Sequence, residues 1–519
     1  MNALLISLLE DLDVTGLKYV HNYLLHNGHD STLLFLTDFA SIDEGGLRSI
    51  IGFVEKINPE LIGVSLMSHE YFNACSLTKH LKKNFNGIPV IWGGIHPTSC
   101  PRMCLDHADY VCVGEGEEAM LDIANALEAG RDLKGTKNLC YLKDGRMVQN
   151  SLYPYIDDLD KVPTGGQIPL NSHILHRGAI QVLDRKLLEM MDKCHGRMYC
   201  TVSSRGCPFS CTFCCNSYLR HLYKEVRIRR RSVENIMQEL EATLKENPSI
   251  EYIDFQDDSF LSCSHDYLKT FCEEYKKRVN RPFVIRAIPP LVDGEKIGLL
   301  KSAGLGWIAM GLQTGSDRVN LEVYGRRSLR SDFINAANII KEHEISAIYY
   351  VILDNPFENE SETIETVKAL MDTPKPFYLD ILSLTFYYGT ELYERATLEC
   401  PERISDPLKK DMLLYQKTTI NNLVRLAAYL DKRSMEFLLD LYEQEGGGSF
   451  KFRAMLLIAN ILTSFIIEPW TYLKLVRLSH RGSLARTLRS LPVYTKEGVK
   501  RYTYNFKKRI VPKKSALGR

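Results

Sequence analysis

Residues 205–215 of this 519-residue chain read Arg-Gly-Cys-Pro-Phe-Ser-Cys-Thr-Phe-Cys-Cys and place Cys207, Cys211 and Cys214 in a C-x3-C-x2-C pattern. The loop follows residues 198–203, whose apolar alternation predicts a strand. Three thiolates on one short loop are able to hold three irons of a cubane cluster and leave the fourth iron open to another ligand. The spacing therefore predicts an iron–sulfur site.

Two other interpretations of these cysteines are a structural zinc site and a set of buried, inert thiols. Structural zinc takes four ligands, usually from two separated Cys-x2-Cys pairs, and no second pair occurs at such a spacing. Cys215 directly follows Cys214, which makes it a poor fourth ligand for the same metal. The spacing favours iron–sulfur over zinc and leaves the roles of Cys194, Cys200 and Cys215 open.

Composition narrows the class of protein. A chain of 519 residues is too long for one compact core, so two or three domains are expected. Its fourteen cysteines are too dilute for a disulfide scaffold, and the first residues lack the charged start and long apolar run of a signal peptide. We therefore expect a cytoplasmic protein, in which clustered cysteines indicate metal binding or catalysis.

Residues 1–135 alternate short apolar segments with amphipathic ones. The predicted strands are residues 3–8, 32–36, 61–66, 89–92 and 110–113, and the predicted helices are residues 14–26, 46–56, 71–84 and 117–128. This βαβα order predicts an α/β fold with a doubly wound, Rossmann-like parallel sheet, whose ligands bind beyond the carboxyl ends of the strands.

The remaining chain divides into three predicted regions. Residues 136–195 show few periodic elements and are expected to link two domains. Residues 196–396 form a second alternating series, with strands at 252–256, 284–287, 307–311, 347–353 and 378–384, which predicts a full or partial α/β barrel of the TIM type. Residues 397–519 are expected to form a helical C-terminal domain that ends in a basic tail.

The cysteine loop resembles the signature of the radical S-adenosylmethionine (SAM) superfamily, Cys-x3-Cys-x-aromatic-Cys, with Phe213 in the aromatic position. Residues 255–260, Arg286, residues 311–317 and residues 385–393 resemble further motifs of that superfamily, in the expected order. The resemblance implies a [4Fe–4S] cluster whose open iron chelates SAM. One-electron reduction, by a donor such as flavodoxin or ferredoxin, then cleaves SAM to methionine and a 5′-deoxyadenosyl radical.

The same resemblance implies five SAM-binding residues. Phe213 is expected against the adenosine, and Asp257 and Asp258 are suited to accept hydrogen bonds from the amino group or the ribose, unless they cap the next helix. Arg286 is suited to hold a carboxylate, either of a ligand or of one of those aspartates. For Gln313, which replaces a common glutamate, a satisfied buried amide is as consistent as a cofactor contact.

One segment departs from the superfamily pattern. Residues 352–358 keep Pro356 and Glu358 of a typical Gly-x-Pro-Gly-Glu-Thr segment, but Asp354 and Phe357 replace its glycines. Since a residue with a Cβ keeps the backbone farther from a ligand, the adenine pocket is expected to differ from that of most relatives.

Two loops in the first domain, Gly93-Gly94-Ile95-His96-Pro97-Thr98 and Val113-Gly114-Glu115-Gly116-Glu117, resemble those of cobalamin-binding domains fused to radical SAM domains. The glycines let the backbone approach a bulky ligand just beyond a parallel strand. The resemblance implies cobalamin contacts at Gly93, Gly94, His96, Gly114 and Glu115. His96 is expected to hold its loop rather than to bind metal.

Asp13 stands where many cobalamin proteins carry the histidine that ligates cobalt, in the segment Asp11-Leu-Asp-Val-Thr-Gly16. Fused radical SAM relatives commonly lack this histidine, and in relatives its absence accompanies methyl transfer. We therefore place Asp13 among the expected cobalamin-binding residues. The alternative is a domain that kept the fold and lost the cofactor.

Taken together, the motifs resemble those of cobalamin-binding radical SAM enzymes of the class B methyltransferase type, related to the anaerobic magnesium-protoporphyrin monomethyl ester cyclases. The predicted reaction is methylation of an unactivated carbon, or of a phosphinate phosphorus, on a small-molecule or lipid substrate. Cyclisation or oxidation on the same architecture is one alternative, and a non-catalytic iron–sulfur protein is another. A third is a tRNA methylthiotransferase-like enzyme with a second cluster, for which the available cysteines are Cys75, Cys100, Cys104 and Cys112.

The end of the chain combines apolar and basic segments. Residues 455–467 are strongly apolar but shorter than the ~20 residues that span a bilayer. From Thr471 onward, fourteen lysines and arginines face a single acidic residue, Glu497. A buried helix in a cap over the barrel mouth is favoured. The alternative is a peripheral membrane contact through the basic tail, which would favour a lipid substrate. A nucleic-acid partner is not expected, although a basic tail can equally serve RNA or be merely solvated.

Overall fold

The apolar segments of the first domain form a doubly wound sheet, as predicted. The strands are β1 (Asn2–Ser7), β2 (Asp30–Phe35), β3 (Leu61–Ser65), β4 (Val90–Gly93), β5 (Tyr110–Cys112), β6 (Leu139–Lys143), β7 (Arg146–Gln149), β8 (Ser172–His176) and β9 (Ala179–Val182). In this computed structural model, which describes residues 1–192, 194–410 and 412–479, they pair in the order β7-β6-β5-β4-β3-β1-β2-β8-β9.

Alternate side chains of β1 enter two separate cores. The helices are α1 (Thr15–His26), α2 (Glu44–Ile57), α3 (Tyr71–Asn84), α4 (Ile95–Ser99), α5 (Pro101–Cys104), α6 (Glu117–Glu128) and α7 (Arg185–Met191). Leu4 of β1 packs with residues of α2 and α3, whereas Leu5 packs with residues of α1 and α6. Helices therefore cover both faces of the sheet, as burial of a parallel sheet requires.

Residues 136–195 do more than link two domains. They contain β6, β7, β8 and β9, and each pair forms an antiparallel hairpin at one edge of the first sheet. The hairpin strands β7 and β9 are largely exposed, so their alternation is weaker than that of the central strands. This region thus completes the first sheet.

The second series forms a partial barrel. Its strands are β10 (Met198–Thr201), β11 (Ser204–Arg205), β12 (Arg229–Arg230), β13 (Tyr252–Phe255), β14 (Phe283–Ala287), β15 (Leu305–Gln313), β16 (Ser346–Leu353) and β17 (Tyr378–Ser383). The helices are α8 (Cys215–Tyr223), α9 (Val233–Glu246), α10 (His265–Arg278), α11 (Gly294–Ala303), α12 (Arg330–Glu342), α13 (Glu360–Asp372) and α14 (Glu391–Glu399). Six strands pair in parallel in the order β10-β13-β14-β15-β16-β17, and β11 and β12 form a small antiparallel ladder beside them.

Within the described residues, the helices that follow the barrel are α15 (Thr419–Tyr429), α16 (Lys432–Glu445), α17 (Phe450–Leu462) and α18 (Glu468–Ser479). A π-helical turn, Thr463–Ile467, joins α17 to α18, so that one helix runs from Phe450 to Ser479. By length and composition this 30-residue helix could cross a membrane. The helix therefore continues through Glu468-Pro469, which follow the apolar residues 455–467. The basic tail beyond Ser479 lies outside the described residues.

The last helix closes the end of the barrel that lies away from the predicted site. Leu475 and Val476 of α18 pack against Trp307 inside the barrel, and the Ser346 hydroxyl donates to the Leu475 carbonyl at 2.7 Å. Trp307 and Ser346 lie at the amino ends of β15 and β16. The expected cap over the barrel mouth is thus a plug at its opposite end.

Candidate cluster and cofactor site

The three motif cysteines lie on one loop between β11 and α8. Cys211 is buried, whereas Cys207 and Cys214 are partly buried. Cys214 is the N-cap residue of α8, where the helix dipole favours a thiolate. A hydrogen bond from Cys215, opposed by burial, lowers the pKa of Cys214. This arrangement provides three thiol donors of the type that a cubane cluster requires.

Glycines and backbone hydrogen bonds hold the loop against the barrel. Gly206 has a φ of +102°, and a Cβ there would lie 2.4 Å from the carbonyl oxygen of Arg227. The backbone N–H of Thr212 donates to the Tyr324 carbonyl at 2.9 Å, and its hydroxyl donates to the Val323 carbonyl at 2.7 Å. The loop geometry is therefore set by contacts with Arg227 and with Val323 and Tyr324, the last two more than one hundred residues away along the chain.

Arg326 is a site residue that the sequence did not reveal. Its side chain is buried and donates to the Gly311 carbonyl at 2.8 Å and to the thiol of Cys211. Burial raises the pKa of Cys211, and Arg326 opposes that rise. A buried guanidinium beside three thiolates supplies the positive charge that a cluster with net negative charge needs. Arg326 could not be identified from the sequence because it lies far along the chain from the cysteine motif, and a lone arginine belongs to no spaced pattern.

The two predicted aspartates have different environments. Asp257 is buried and accepts hydrogen bonds from the backbone N–H of Ser203 at 2.9 Å and from the hydroxyls of Ser203 and Ser204. Its oxygens are committed to the connection between β10 and β11, so we reassign Asp257 to a structural role. Asp258 lines an interdomain cavity together with Cys207, and burial raises the pKa of its carboxyl.

Arg286 is held by an aspartate that the sequence analysis did not single out. Its guanidinium forms a bidentate ion pair with Asp254, with Nη2 3.0 Å from Oδ2, and also donates to the Phe255 carbonyl at 2.9 Å. The predicted partners were Asp257 and Asp258 or a ligand carboxylate. Asp254 interrupts the apolar pattern of β13 at a barrel-facing position. That interruption was the sequence feature from which its role could have been predicted.

Gln313 lies at the carboxyl end of β15 in a left-handed conformation, with a φ of +67°. Its Oε1 is buried and has no hydrogen-bond partner among the described residues. An unpaired buried amide oxygen in strained backbone is typical of a ligand contact and does not fit a satisfied amide.

Phe213 packs edge-on against Tyr324, with ring centroids 4.9 Å apart.

Residues 352–358, the segment that departs from the superfamily pattern, contact residues 311–317. The Thr314 hydroxyl donates to Oε1 of Glu358 at 2.6 Å. Burial raises the pKa of Glu358 to about 7. Asp354, at a φ of +61°, accepts from the Ser383 hydroxyl at 2.6 Å and from the Asn421 amide at 2.9 Å. The acidic residues here hold barrel loops together.

The first predicted cobalamin loop follows β4. Gly93 ends the strand, and a Cβ on Gly94, whose φ is +99°, would lie 2.8 Å from the Leu66 carbonyl oxygen. His96 is buried against the rings of Tyr71 and Tyr388, and its Nδ1 lies 3.1 Å from the Ser68 hydroxyl. Burial lowers the pKa of His96 to about 4, so its ring is neutral at physiological pH.

The second predicted loop contacts the barrel directly. Gly114 has a φ of +87°, and a Cβ there would lie 2.1 Å from the hydroxyl of Tyr223. Glu115 accepts hydrogen bonds from Arg205 at 3.1 Å and from Arg229 at 2.7 Å. Burial would raise the pKa of Glu115, but the two arginines outweigh it and lower the pKa. Glu115 thus joins the two domains through ion pairs.

Asp13 also lies at the domain junction. The thiol of Cys200, on β10, donates to Oδ2 of Asp13 at 3.2 Å. Asp13 lies close to Asp11 and Asp192 as well, and burial raises the pKa of its carboxyl. The structure therefore gives Asp13 a barrel contact and places it outside the set of residues that line the interdomain cavity.

The predicted cluster and cobalamin regions converge on one cavity of about 280 Å³. The first domain contributes Gly94, Gly114 and Glu115 to its wall, and the second contributes Cys207 and Asp258. The thiols, Arg326 and the unpaired Gln313 oxygen fit a cluster and SAM. The cavity has the position expected for cobalamin, beyond the carboxyl ends of β4 and β5, and the ring of Tyr223 lies against Gly114 in its wall.

The cysteines considered for a second cluster are divided by the first sheet. Cys104 lies in the core on one face, and Cys112 lies in the core on the other. Burial raises the pKa of Cys75 and Cys100 to about 11. These four cysteines therefore do not form one set of ligands.

Comparison with known proteins identifies both domains. The model of the radical SAM superfamily matches residues 201–370, and the model of the B12 binding domain matches residues 1–124. An uncharacterized methyltransferase of Pyrococcus horikoshii is 25% identical over 430 residues, which cover 81% of this chain and 85% of that protein. The anaerobic magnesium-protoporphyrin IX monomethyl ester cyclase of Rubrivivax gelatinosus is 24% identical over 71% of this chain and 63% of the cyclase.

A solved structure shares the fold over nearly the whole chain. The cobalamin-dependent S-adenosylmethionine radical enzyme OxsB, solved with aqua-cobalamin and S-adenosylmethionine bound, aligns with 99% of this chain and 82% of its own at a TM-score of 0.63 and 14% identity. The two family matches cover the two predicted cofactor regions in the predicted order. The chain therefore combines a B12-binding domain, matched over residues 1–124, with a radical SAM domain, matched over residues 201–370.

Proposed function

We propose that this enzyme methylates an unactivated carbon of a small-molecule or lipid substrate, using a [4Fe–4S] cluster, SAM and cobalamin. The observation that carries the proposal is the single cavity whose wall includes Cys207 and Asp258 from the barrel and Gly94 and Gly114 from the first domain. A methyl carrier and a radical source must both reach the same substrate atom. Convergence of the two cofactor regions meets that requirement.

When bound, the cluster and SAM supply a carbon radical, and cobalamin supplies a methyl group. The protein positions these groups. Cys207, Cys211 and Cys214 would hold the cluster, and Asp258 and Gln313 offer acceptors to SAM. Because these groups sit at the carboxyl ends of the barrel strands, the substrate is expected to enter from the side of the first domain.

The proposed chemistry also requires that access of water to this region is limited. Ion pairs of Glu115 with Arg205 and Arg229 join the domains around the cavity, and α18 closes the opposite end of the barrel. Exclusion of water strengthens electrostatic interactions and protects a radical from side reactions. A low-potential donor such as flavodoxin or ferredoxin is proposed to deliver the electron.

The test begins with anaerobic purification and cluster reconstitution. The proposal expects about four irons per chain, binding of added cobalamin seen in the absorption spectrum, and release of 5′-deoxyadenosine after reduction with SAM. Cys211→Ala should lose the iron, and Cys272→Ala, a buried cysteine far from the loop, is the matched control. Cell extract given SAM with a deuterated methyl group should then yield a deuterium-labelled product.

Two outcomes would contradict methylation. A reconstituted cluster that cleaves SAM without any affinity for cobalamin would leave a radical SAM enzyme with a first domain that no longer binds its cofactor. Substrate-dependent SAM cleavage without label in the product would instead support cyclisation or oxidation, the reaction type for which the relative from Rubrivivax gelatinosus is named.

A further inference from the structure

The helix Phe450–Ser479 carries an exposed apolar face. Between residues 454 and 470 every exposed side chain is apolar, and none is charged. These side chains are Leu457, Ile458, Ile461, Leu462, Phe465, Ile466 and Trp470, and several are more than half exposed, including Phe465 at 67% and Leu457 at 61%. They recur at intervals of three and four residues and therefore lie along one side of the helix.

A continuous apolar face of this length is unusual on a protein surface in water. Exposed apolar side chains are normally scattered, and a contiguous patch marks a surface that another body covers. The stretch from Leu457 to Trp470 is roughly 20 Å long at 1.5 Å per residue. It needs a partner that is itself apolar over that length.

The opposite side of the helix is occupied by the protein. Phe452, Leu456 and Thr463 are buried, and Arg425 of α15 forms an ion pair with Glu468 at 2.6 Å. Farther along, Leu475 and Val476 plug the barrel. A helix anchored in this way cannot cross a bilayer, although its length would allow it, because one side would have to leave the barrel.

Basic residues continue from the end of this face. The ammonium of Lys474 lies 5.9 Å from the ring centroid of Trp470, an arrangement suited to the interface between hydrocarbon and head groups. Beyond it, the sequence from residue 481 to 519 holds twelve lysines and arginines and one acidic residue, Glu497. Apolar side chains with adjacent positive charge are complementary to a lipid surface that bears negative head groups.

We propose that this face docks the enzyme on the surface of an anionic bilayer, with the helix lying in the plane of the interface. A second copy of the chain fits less well. A dimer would carry two C-terminal segments that each hold twelve lysines and arginines against one acidic residue, and like charges oppose that association. The proposal is independent of the reaction, since α18 lies at the barrel end opposite to the cofactor loops.

The test is flotation of the full-length protein with vesicles of equal parts phosphatidylcholine and phosphatidylglycerol, and with vesicles of phosphatidylcholine alone. Wild type is expected to float with the anionic vesicles. The double variant Ile461→Glu with Phe465→Glu should bind at least ~10-fold more weakly, because two charges enter the apolar contact. Leu398→Glu, at a residue that is 84% exposed on α14, is the matched control and should float as wild type does. Circular dichroism and cluster iron content establish that each variant is folded.

Salt and concentration series distinguish an apolar contact with lipid from ionic binding by the tail and from dimerisation. Binding that the double variant retains and that high salt abolishes would assign it to the basic tail alone and overturn the proposal. Absence of vesicle binding, together with a concentration-dependent dimer that the double variant dissociates, would assign the face to a second copy and overturn it as well. Binding that resists high salt and fails only in the double variant supports it.

Discussion

The hydroxyl of Tyr223 accepts a hydrogen bond from the backbone N–H of Glu115 at 2.8 Å and fills the space beside Gly114. Its ring stacks on Tyr155 with centroids 3.8 Å apart. A tyrosine of the cluster-bearing domain thus occupies the loop that resembles a cobalamin contact. We expect cobalamin, when bound beside Gly114, to compete with this ring for the same wall of the cavity.

Tyr223→Ala should therefore bind cobalamin about tenfold more tightly than wild type, because the site no longer has to displace the ring. Tyr223→Phe keeps the ring and should bind as wild type does. Spectroscopic titration with aqua-cobalamin measures both. Weaker binding by Tyr223→Ala would mean that the ring supports the corrin rather than excluding it.

The buried guanidinium of Arg326 should set the reduction potential of the cluster. Arg326→Gln removes a positive charge beside Cys211, and the cluster potential should fall by about 100 mV, as expected for a charge several ångströms away in a partly screened interior. Arg327→Gln, the exposed neighbour, is the matched control. Redox titration followed by electron paramagnetic resonance measures the potential. Equal potentials in all three proteins would exclude the role.

Gln313 is expected to contribute to SAM binding and to lower the stability of the folded protein. Gln313→Met keeps the shape of the side chain and removes the unpaired amide oxygen, so SAM affinity should fall by about tenfold while the unfolding temperature stays the same or rises. Equilibrium dialysis with labelled SAM and thermal unfolding of the same preparation are the measurements. A large loss of thermal stability would show that the amide has a structural partner instead.

Glu358 should make stability depend on pH. Burial raises its pKa from 4.5 to about 7, so the folded protein holds a proton there that the unfolded chain releases between those values. Stability should therefore fall as the pH rises from 4.5 to 7 and then level off, by at most about 3 kcal/mol. Glu358→Gln stays neutral and should abolish this decline, which denaturation at pH 5 and pH 8 would measure. Glu342→Gln, at an exposed position on α12, should leave it unchanged.

The hydrogen bond between Cys200 and Asp13 should stabilise the junction of the domains. Cys200→Ala leaves Oδ2 of the partly buried Asp13 without its thiol donor and should lower the free energy of unfolding by about 1 kcal/mol. Cys200→Ser restores a hydroxyl donor and should recover most of that loss. Anaerobic urea denaturation of the cluster-free protein measures both. A Cys200→Ser variant as unstable as Cys200→Ala would show that packing, and not the hydrogen bond, is responsible.

Local sequence was sufficient for the elements and the cluster loop. Every predicted strand and helix of the two alternating series occurs within two residues of its expected bounds. Cys207, Cys211 and Cys214 lie close together because they are at most seven residues apart along the chain. Periodicity and short spacing are properties of adjacent residues, so no long-range contact is needed to interpret them.

Which side chains pair with each other was decided by the tertiary structure alone. Arg286 pairs with Asp254 rather than Asp257 because the register of the neighbouring strands β13 and β14 places these two side chains next to each other. Asp13 meets Cys200 across 187 residues for a similar reason. The apolar pattern of residues 455–467 predicted a buried helix, yet much of it is exposed. A pattern identifies the apolar side of a helix, but only the packing of distant elements determines what covers it.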